Sequence, residues 1–338
     1  MSTSPLLASA IFAILAVLLL LLPFLPCWRE WQRPTDVAAL PIVRDEVNNV
    51  HYLANAFHEQ ASRADEQCRR IAAPADGFPW HAAQQPVIVE GALRVGGVLA
   101  CPQPVYTGGD ALLPGGAHLA ALLCKGDAAF GPETRISEWA HADGAVSVGP
   151  GSIVLYRVSA GGTLTLGKGS GFCRMHAPVI RFGTHQDRAA QPQPETCRLS
   201  AAWPGATLLA CEAGRYRADG DVHLPANHYL EGTLIAGGEL RLDDGATILG
   251  AVKGRRGVRL GRGAQVHGAL VCEGDIDIGP DCWIKGPIVC EGDVRLARGA
   301  RIGTEDMPTT VAASRVLAET GVTAHGTVWA REAGVVAA

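Results

Sequence analysis

Hydrophobic and polar positions alternate along the second half of the chain, and the alternation restarts at a fixed interval. From Asp221 to about Thr304 the pattern begins again every 18 residues without an insertion. In each copy the second, fourth and tenth positions are apolar, and in the copy that starts at Asp275 they are Ile276, Ile278 and Ile284. Apolar residues two apart predict a strand with one buried face. The segment therefore predicts a series of short strands that recur once in every copy of the repeat.

Glycines also recur at one position of this repeat. They are Gly232, Gly250, Gly268 and Gly286. A glycine column is typical of corners where the backbone turns at positive φ or passes close to a neighbour. One copy is too short to bury its own apolar face, so we expect the copies to stack about 4.8 Å apart, as an all-β parallel β-helix with three short strands per turn. The expected buried ladders include Ile276, Ile278, Ile284, Ile288, Val258, Leu260, Val266 and Leu270.

The same phase is visible, less regularly, in a first block at residues 87–182. Full-length copies start at Asp127, Ala145 and Thr163, and the copy at Asp110 is shorter by a single position. Residues 183–220 lack the period, and those from His185 to Ala202 are rich in Pro and Gln. We interpret 183–220 as a loop that leaves and re-enters one continuous β-helix, with two separate solenoids as the alternative.

The second block is predicted at 221–304, and the tail at 305–338 abandons the repeat. In this tail, Ser314 to Glu319 is compatible with a short helix and Val322 to Trp329 with a strand. A terminal rung of a solenoid leaves an open sheet edge. We therefore expect the tail to cap the last rung.

Residues 1–34 contain an almost wholly apolar segment from Leu6 to Leu25, and no charged residue precedes Arg29. Twenty apolar residues in a helix span about 30 Å, so the pattern predicts a transmembrane anchor with Trp28 and Trp31 at the interface. A cleaved signal peptide is the competing interpretation, although the segment lacks a basic n-region and a small-residue cleavage site. Basic residues follow the segment and none precedes it, which favours a cytoplasmic solenoid on a single-pass membrane protein.

Residues 35–73 show a helical pattern. From Val43 to Ile71, apolar residues recur at steps of three and four between charged faces. This periodicity predicts a juxtamembrane amphipathic helix. We expect it to pack along the solenoid or to cap its first rung, and self-association as a coiled coil is the alternative.

Composition, net charge and the placement of the cysteines bear on the fold class and on the partners. The 338 residues include 41 Gly and only 6% aromatic residues, which favours a solenoid, and a net charge of -4 gives no sign of a nucleic-acid partner. The 10 Cys are scattered and lack metal-ligand spacing. Several fall in inward columns, as Cys272 and Cys290 do, which favours small buried hydrophobes in a reducing compartment over a redox-sensitive ladder.

Catalytic chemistry is not indicated by any motif. The chain contains no phosphate-binding loop, no nucleophile motif and no zinc-ligand spacing, so we expect no catalytic residue, no cofactor and no metal. Hexapeptide-repeat acyltransferases also form solenoids with a turn of this length and use a His base. In that alternative, His118 or His267 is the candidate base. Against it, the apolar positions of this chain do not recur every six positions, and a helical substrate domain is not evident.

The rungs from Gly268 to Gly303 resemble the bactofilin family of polymer-forming cytoskeletal proteins, whose repeat reads roughly G-[DN]-I-x-I-G-x-x-A-x-V-x-G-x-I. The residues that match are Gly274, Asp275, Ile276, Ile278, Gly279, Ile284, Gly286 and Ile288, with Cys282 in place of the small Ala. The resemblance covers the second block well and the first block loosely, and it implies a right-handed β-helix. It also implies nucleotide-independent, end-to-end assembly into non-polar filaments on the cytoplasmic face of the cell inner membrane, where they organise cell-shape or envelope proteins.

Together these patterns predict a membrane-anchored structural scaffold that self-associates by stacking of β-helices. Its expected partners are further copies of itself, the lipid bilayer and envelope or cell-shape proteins. The alternative is a β-solenoid that does not polymerise and serves as a binding platform for a membrane or envelope partner.

Overall fold

The computed structural model describes residues 5–25, 28, 50–63, 67–73, 77–183, 197–198, 209–212 and 214–337. The chain divides into two compact units, Met1–Asn49 and Val50–Ala338.

The described part of the N-terminal unit is an apolar helix. Helix α1 runs from Pro5 to Leu21 and has 17 residues, and a 3-10 turn at Leu22–Phe24 with Pro in its first turn follows it. At 1.5 Å per residue, the helix is about 25 Å long, which is less than the roughly 30 Å of a hydrocarbon core. Among the described residues, no helix is both long and apolar enough to cross a membrane. The predicted transmembrane span from Leu6 to Leu25 is therefore not supported; Trp28 is exposed, and Trp31 lies outside the described residues.

The second unit contains helix α2, Tyr52–Ser62, a 3-10 helix at Trp80–Ala82, and 32 strands within its described residues. The strands are β1 (Arg69–Ala72), β2 (Val87–Glu90), β3 (Leu93–Arg94), β4 (Ala100–Cys101), β5 (Val105–Thr107), β6 (Ala111–Leu113), β7 (His118–Cys124), β8 (Ala128–Phe130), β9 (Arg135–Ala142), β10 (Val146–Val148), β11 (Ile153–Ala160), β12 (Thr163–Leu166), β13 (Gly171–Phe182), β14 (Cys197–Arg198), β15 (Leu209–Glu212), β16 (Arg215–Ala218), β17 (Val222–Leu224), β18 (His228–Leu230), β19 (Thr233–Ala236), β20 (Glu239–Leu242), β21 (Thr247–Ile248), β22 (Val252–Gly254), β23 (Gly257–Leu260), β24 (Gln265–Val266), β25 (Leu270–Cys272), β26 (Asp275–Ile278), β27 (Trp283–Ile284), β28 (Ile288–Cys290), β29 (Asp293–Leu296), β30 (Arg301–Ile302), β31 (Thr309–Ala318) and β32 (Val322–Val336).

Strands three apart in the second block pair in parallel and in register, so equivalent residues of successive copies lie above one another. Val258 pairs with Ile276, and Val266 pairs with Ile284. The eight ladder residues expected from the sequence are each at most 4% exposed. In the first block the strands of successive turns also pair in parallel, with register shifts between β7 and β9 and between β11 and β13, and the shorter copy accounts for the pairing of Ala111 with Ala128. The result is an all-β right-handed solenoid of about 13 turns, whose core is a continuous apolar column.

The two solenoid blocks meet in opposite directions. Strand β13 is the last strand of the first block, and it pairs antiparallel with β32, the last strand of the second block. Met175 is the partner of Val328, and Phe182 is the partner of Val322. Successive rungs of the first block therefore lead toward the junction. The second block begins at the opposite end of the stack, and its successive rungs also lead toward the junction. This differs from both expectations: the blocks share one stack, but they are not one continuous β-helix.

The tail and the segment between the blocks contribute strands to this arrangement. Strand β31 contradicts the predicted short helix at Ser314–Glu319, because its buried residues lie two apart on each side of a bulge after Ala313. The strand predicted at Val322–Trp329 continues to Val336. Within 183–220, β16 pairs in register with β19, so the second block begins before Asp221.

Helix α2 is shorter than predicted. Residues 35–49 and 64–66 of the predicted helix lie outside the described residues, and α2 ends at Ser62. Ile71 belongs to strand β1, which pairs with β2, so the helix prediction is wrong for that residue. The apolar spacing continued by chance into a strand whose apolar residue faces the solenoid core.

The glycine column is explained by close approach between rungs. Only Gly232 in this column has a positive φ, of 119°. A Cβ at Gly268 would lie 2.7 Å from the carbonyl carbon of Gly250 in the preceding rung. Side chains in this column would therefore push neighbouring rungs apart.

Aspartates at another corner tie several rungs to the next. The Asp275 carboxylate accepts the backbone N–H of Asp293, one turn further along, at 2.9 Å. The same bond joins Asp221 to Glu239 at 2.8 Å and Asp127 to Ala145 at 2.7 Å. These bonds explain why so many copies of the repeat begin with Asp.

We expect Asp275→Ala to lower the free energy of unfolding by about 1 kcal/mol, because the N–H of Asp293 loses its acceptor. Asp277→Ala is the matched control. Asp277 lies on the same strand and bonds only exposed Arg side chains, such as Arg295 at 2.9 Å. Its loss should be about 0.5 kcal/mol or less. Urea denaturation followed by circular dichroism measures both, and equal losses would contradict the proposed role of the corner aspartates.

Candidate functional site

Helix α2 lies against the outer surface of the first block. Its buried residues Ala54, Phe57 and Ala61 recur at steps of three and four, which places them on one face of the helix. Phe57 packs edge-on against Trp139 with 5.9 Å between ring centroids. Ala121 and Leu123 complete this cluster. The helix therefore packs along the flank of the solenoid, as one of the sequence interpretations proposed.

Three histidines meet at the N-terminal end of α2. His141 lies on β9 and His176 on β13, and Ser159 of the intervening strand β11 is in register with both. His51, the N-cap residue of α2, lies over them. Its ring centroid is 4.9 Å from that of His141 and 5.2 Å from that of His176. We call His51, His141 and His176 the histidine cluster.

Hydrogen bonds fix the orientation of the cluster. The Nδ1 atoms of His51 and His141 are 3.3 Å apart. His141 Nδ1 also lies 2.7 Å from Ser159 Oγ, and its Nε2 lies 3.1 Å from Asp143 Oδ1. Lys125 donates to the other oxygen of Asp143 at 2.9 Å. His141 is thus held at both ring nitrogens, which sets the position that His51 contacts.

His176 connects the cluster to the junction between the blocks. Its Nδ1 lies 3.0 Å from Thr327 Oγ1, and these two residues are partners across the β13–β32 junction. The cluster therefore touches helix α2, the first block and the last strand of the second block.

Burial lowers the pKa of all three histidines below the usual value of 6.5. Proximity to His51 lowers the pKa of His141 and of His176 further, and Arg174 adds to the effect on His176. Asp143 acts in the opposite direction on His51 and His141, but burial outweighs it. Burial alone would raise the pKa of Asp143, yet Lys125 and His141 hold it below its usual value. The cluster is therefore neutral at neutral pH and gains charge on acidification.

Among the residues that the structure describes, no group of three or more His, Cys, Asp or Glu is placed to hold a metal ion. The two candidate bases of the acyltransferase alternative lie apart from the cluster. His118 begins β7 and is exposed. His267 Nδ1 lies 3.5 Å from Lys285 Nζ, and burial together with this ammonium group lowers the pKa of His267.

The inward cysteines are buried thiols. Cys272 and Cys290 are free and stack in register. Cys290 Sγ donates to the carbonyl of Gly274 at 2.9 Å. Burial raises the pKa of Cys290 to about 12 and also raises that of Cys272. Because the thiolate is the reactive form, these residues fit the interpretation as small hydrophobes better than a redox-sensitive ladder.

Each end of the stack has a strand that is paired along one edge. Among the described strands, β1 pairs only with β2, and β15 pairs only with β16. At the first end, Trp80 is buried at the end of the apolar column and packs against Phe78 with 4.9 Å between ring centroids. Both ends come from the N-terminal side of their block, but β1 pairs in parallel with β2, whereas β15 pairs antiparallel with β16.

Sequence reasoning missed the histidine cluster. The signal was present, because His141, Ser159 and His176 follow one another at intervals of one rung, the second of them in a slightly shortened turn. His51 had no such signal, since its position depends on how α2 lies on the flank.

No protein-family model, no curated protein and no solved structure matches this chain.

Proposed function

We propose that this chain is a structural scaffold that associates end to end through stacking of β-solenoid rungs, without a nucleotide. The observation that carries this proposal is the antiparallel junction between β13 and β32. There, two terminal rungs of separate blocks stack within one chain and continue a single core.

The junction shows what such stacking requires. Apolar side chains meet across it, including the fully buried Met175 and Val328. Backbone groups pair as well: Gly321 N–H donates to Phe182 O at 2.7 Å, and Val336 N–H donates to Ser170 O at 3.0 Å. Terminal rungs of this repeat are therefore chemically suited to bind one another.

The two ends of the stack, at β1 and β15, can make the same kind of contact between molecules. An edge strand carries backbone donors and acceptors that can pair with another chain. If each end stacks on the same end of another copy, as the two last rungs do at the junction, the resulting filament has no polarity. Such contacts do not close on themselves and generate open arrays.

Two finer parts of the proposal concern the partners of the scaffold and its location. The resemblance to bactofilins supports a role in organising cell-shape or envelope proteins. The exposed apolar side chains of α1, such as Phe12 at 75% exposure, support attachment of the scaffold to a lipid bilayer. In this proposal the solenoid lies on the cytoplasmic side.

Electron microscopy of the full chain, purified in detergent without nucleotide, tests the assembly. We expect filaments that lengthen with protein concentration, and fewer of them for Ala72→Pro. Arg69 N–H donates to Pro86 O at 2.8 Å, so in this parallel pair the N–H of Ala72 points away from β2. Proline removes that outward donor without removing a bond to β2.

Ala72→Ser is the matched control, since it keeps the N–H, and it should assemble as the unchanged chain does. Single particles at every concentration would contradict assembly and favour the binding platform. Equal assembly of the two variants would show that the edge of β1 is not the contact.

A further inference from the structure

The histidine cluster lies where three elements meet, and it is not used by end-to-end stacking. We propose that it is a proton-sensitive latch that holds helix α2 on the flank of the solenoid at neutral pH and releases it on mild acidification.

The geometry favours neutral imidazoles. A hydrogen bond between the Nδ1 atoms of His51 and His141, 3.3 Å apart, needs one of them without a proton. Two imidazolium rings cannot form that bond, because both nitrogens would then carry a proton. With ring centroids about 5 Å apart, charged rings would also repel one another.

The surroundings add positive charge. His51 is the N-cap of α2, where the positive end of the helix dipole disfavours a cation. The first block contributes Lys125 from the end of β7, Asp143 after β9, and Arg174 of β13, with Arg157 of β11 beside it. The second block contributes the uncharged Thr327. Asp143 is the carboxylate in this set, and it already accepts from Lys125 and His141.

The contacts that remain after protonation are limited. Away from the cluster, the contacts of α2 with the described residues are those of Ala54, Phe57 and Ala61 on an apolar surface, the stacking of His58 on Tyr106, and the bond from Arg70 to Ala61 O at 3.1 Å. An isolated helix of 11 residues is marginally stable in water. Loss of the latch should therefore release α2 as a unit.

The direction of the pH dependence follows from the lowered pKa values. The docked state binds fewer protons than the released state, so acid favours release. Docking is at full strength above the usual value of 6.5 and weakens as the pH falls below it toward the lower pKa of the docked histidines. For each histidine that is neutral in the docked state and protonated in the released state, the equilibrium constant for docking falls by up to about tenfold per pH unit within this window.

Hydrogen exchange of the full chain, measured by mass spectrometry at pH 7.5 and 5.5 and corrected for the intrinsic rate, tests the latch. We expect the protection of α2 to fall by between about tenfold and a thousandfold, while β26 in the second block stays protected. Equal protection of α2 at both pH values would overturn the proposal. An equal loss in β26 would also overturn it, because acid would then unfold the whole solenoid.

Two variants separate the latch from a general effect of acid on the helix. His51→Gln/His176→Gln keeps hydrogen-bonding groups but removes two protonation sites, so the fall should shrink to about tenfold at most. His58→Gln is the control: His58 lies on the same helix and stacks on Tyr106, away from the cluster. It should keep the full pH response. A double variant that responds as strongly as the unchanged chain would exclude the cluster as the sensor.

Discussion

Replacement of Ile284 by Asp should lower the free energy of unfolding of the second block by about 4 kcal/mol or more. Ile284 is fully buried and stacks between Val266 and Ile302 in the inner column. A carboxylate there would have no partner, and the cost of removing it from water is among the largest effects of any single substitution. Urea denaturation followed by circular dichroism and the yield of soluble protein measure the effect.

The control for this variant is Val289→Asp. Val289 is also a β-branched residue in a stacked strand, but it faces outward and is 45% exposed. Its change should alter stability by about 0.5 kcal/mol or less. A soluble and fully folded Ile284→Asp protein would show that equivalent residues of successive copies do not form the inner column.

Replacement of Val328 by Asp should separate the two blocks. Val328 is fully buried at the junction, opposite Met175 of the first block. The charge would lie in the shared core, and its burial would cost several kcal/mol unless the junction opens to water. We expect calorimetry to show two separate unfolding transitions in place of one, and the amides of β13 to lose protection from hydrogen exchange.

Ala333→Asp is the control for the junction. Ala333 lies on the same strand, is exposed, and is the register partner of Arg315, so a carboxylate there is solvated beside a positive charge. This variant should keep a single transition. If Val328→Asp also keeps one transition at an unchanged temperature, the two blocks do not depend on the junction for stability.

The inverted joining of the blocks changes how self-association can be understood. One chain already contains the contact between two last rungs. What remains for contact between molecules is the first rung of each block. A mutation at β1 therefore tests association between copies, whereas one at β32 tests the integrity of one copy.

The apolar periodicity before the first block predicted a helix longer than the one in the structure. Apolar steps of three and four continued through Cys68 to Ile71, and they predicted one long helix. The structure ends α2 at Ser62, and Ile71 packs on the core from strand β1. Local spacing cannot distinguish these outcomes, because one apolar residue among polar ones fits the buried face of a short strand as well as that of a helix.

The histidine cluster shows the same limit at a site. The rung period alone places His141 and His176 near one another. It does not place His51, which is 90 residues from His141 in sequence. Only the docking of α2 brings this third ring into contact.

By itself, the sequence determined the rung. Apolar residues at fixed columns, glycines at close approaches and aspartates at corners specify the length of one turn, because each of these features acts between a residue and its equivalent one turn away. Only the tertiary structure decided how the rungs are arranged on a larger scale. The direction of the second block and the position of α2 depend on contacts between residues far apart in sequence, such as Met175 with Val328. Such contacts produce no periodic pattern in the sequence.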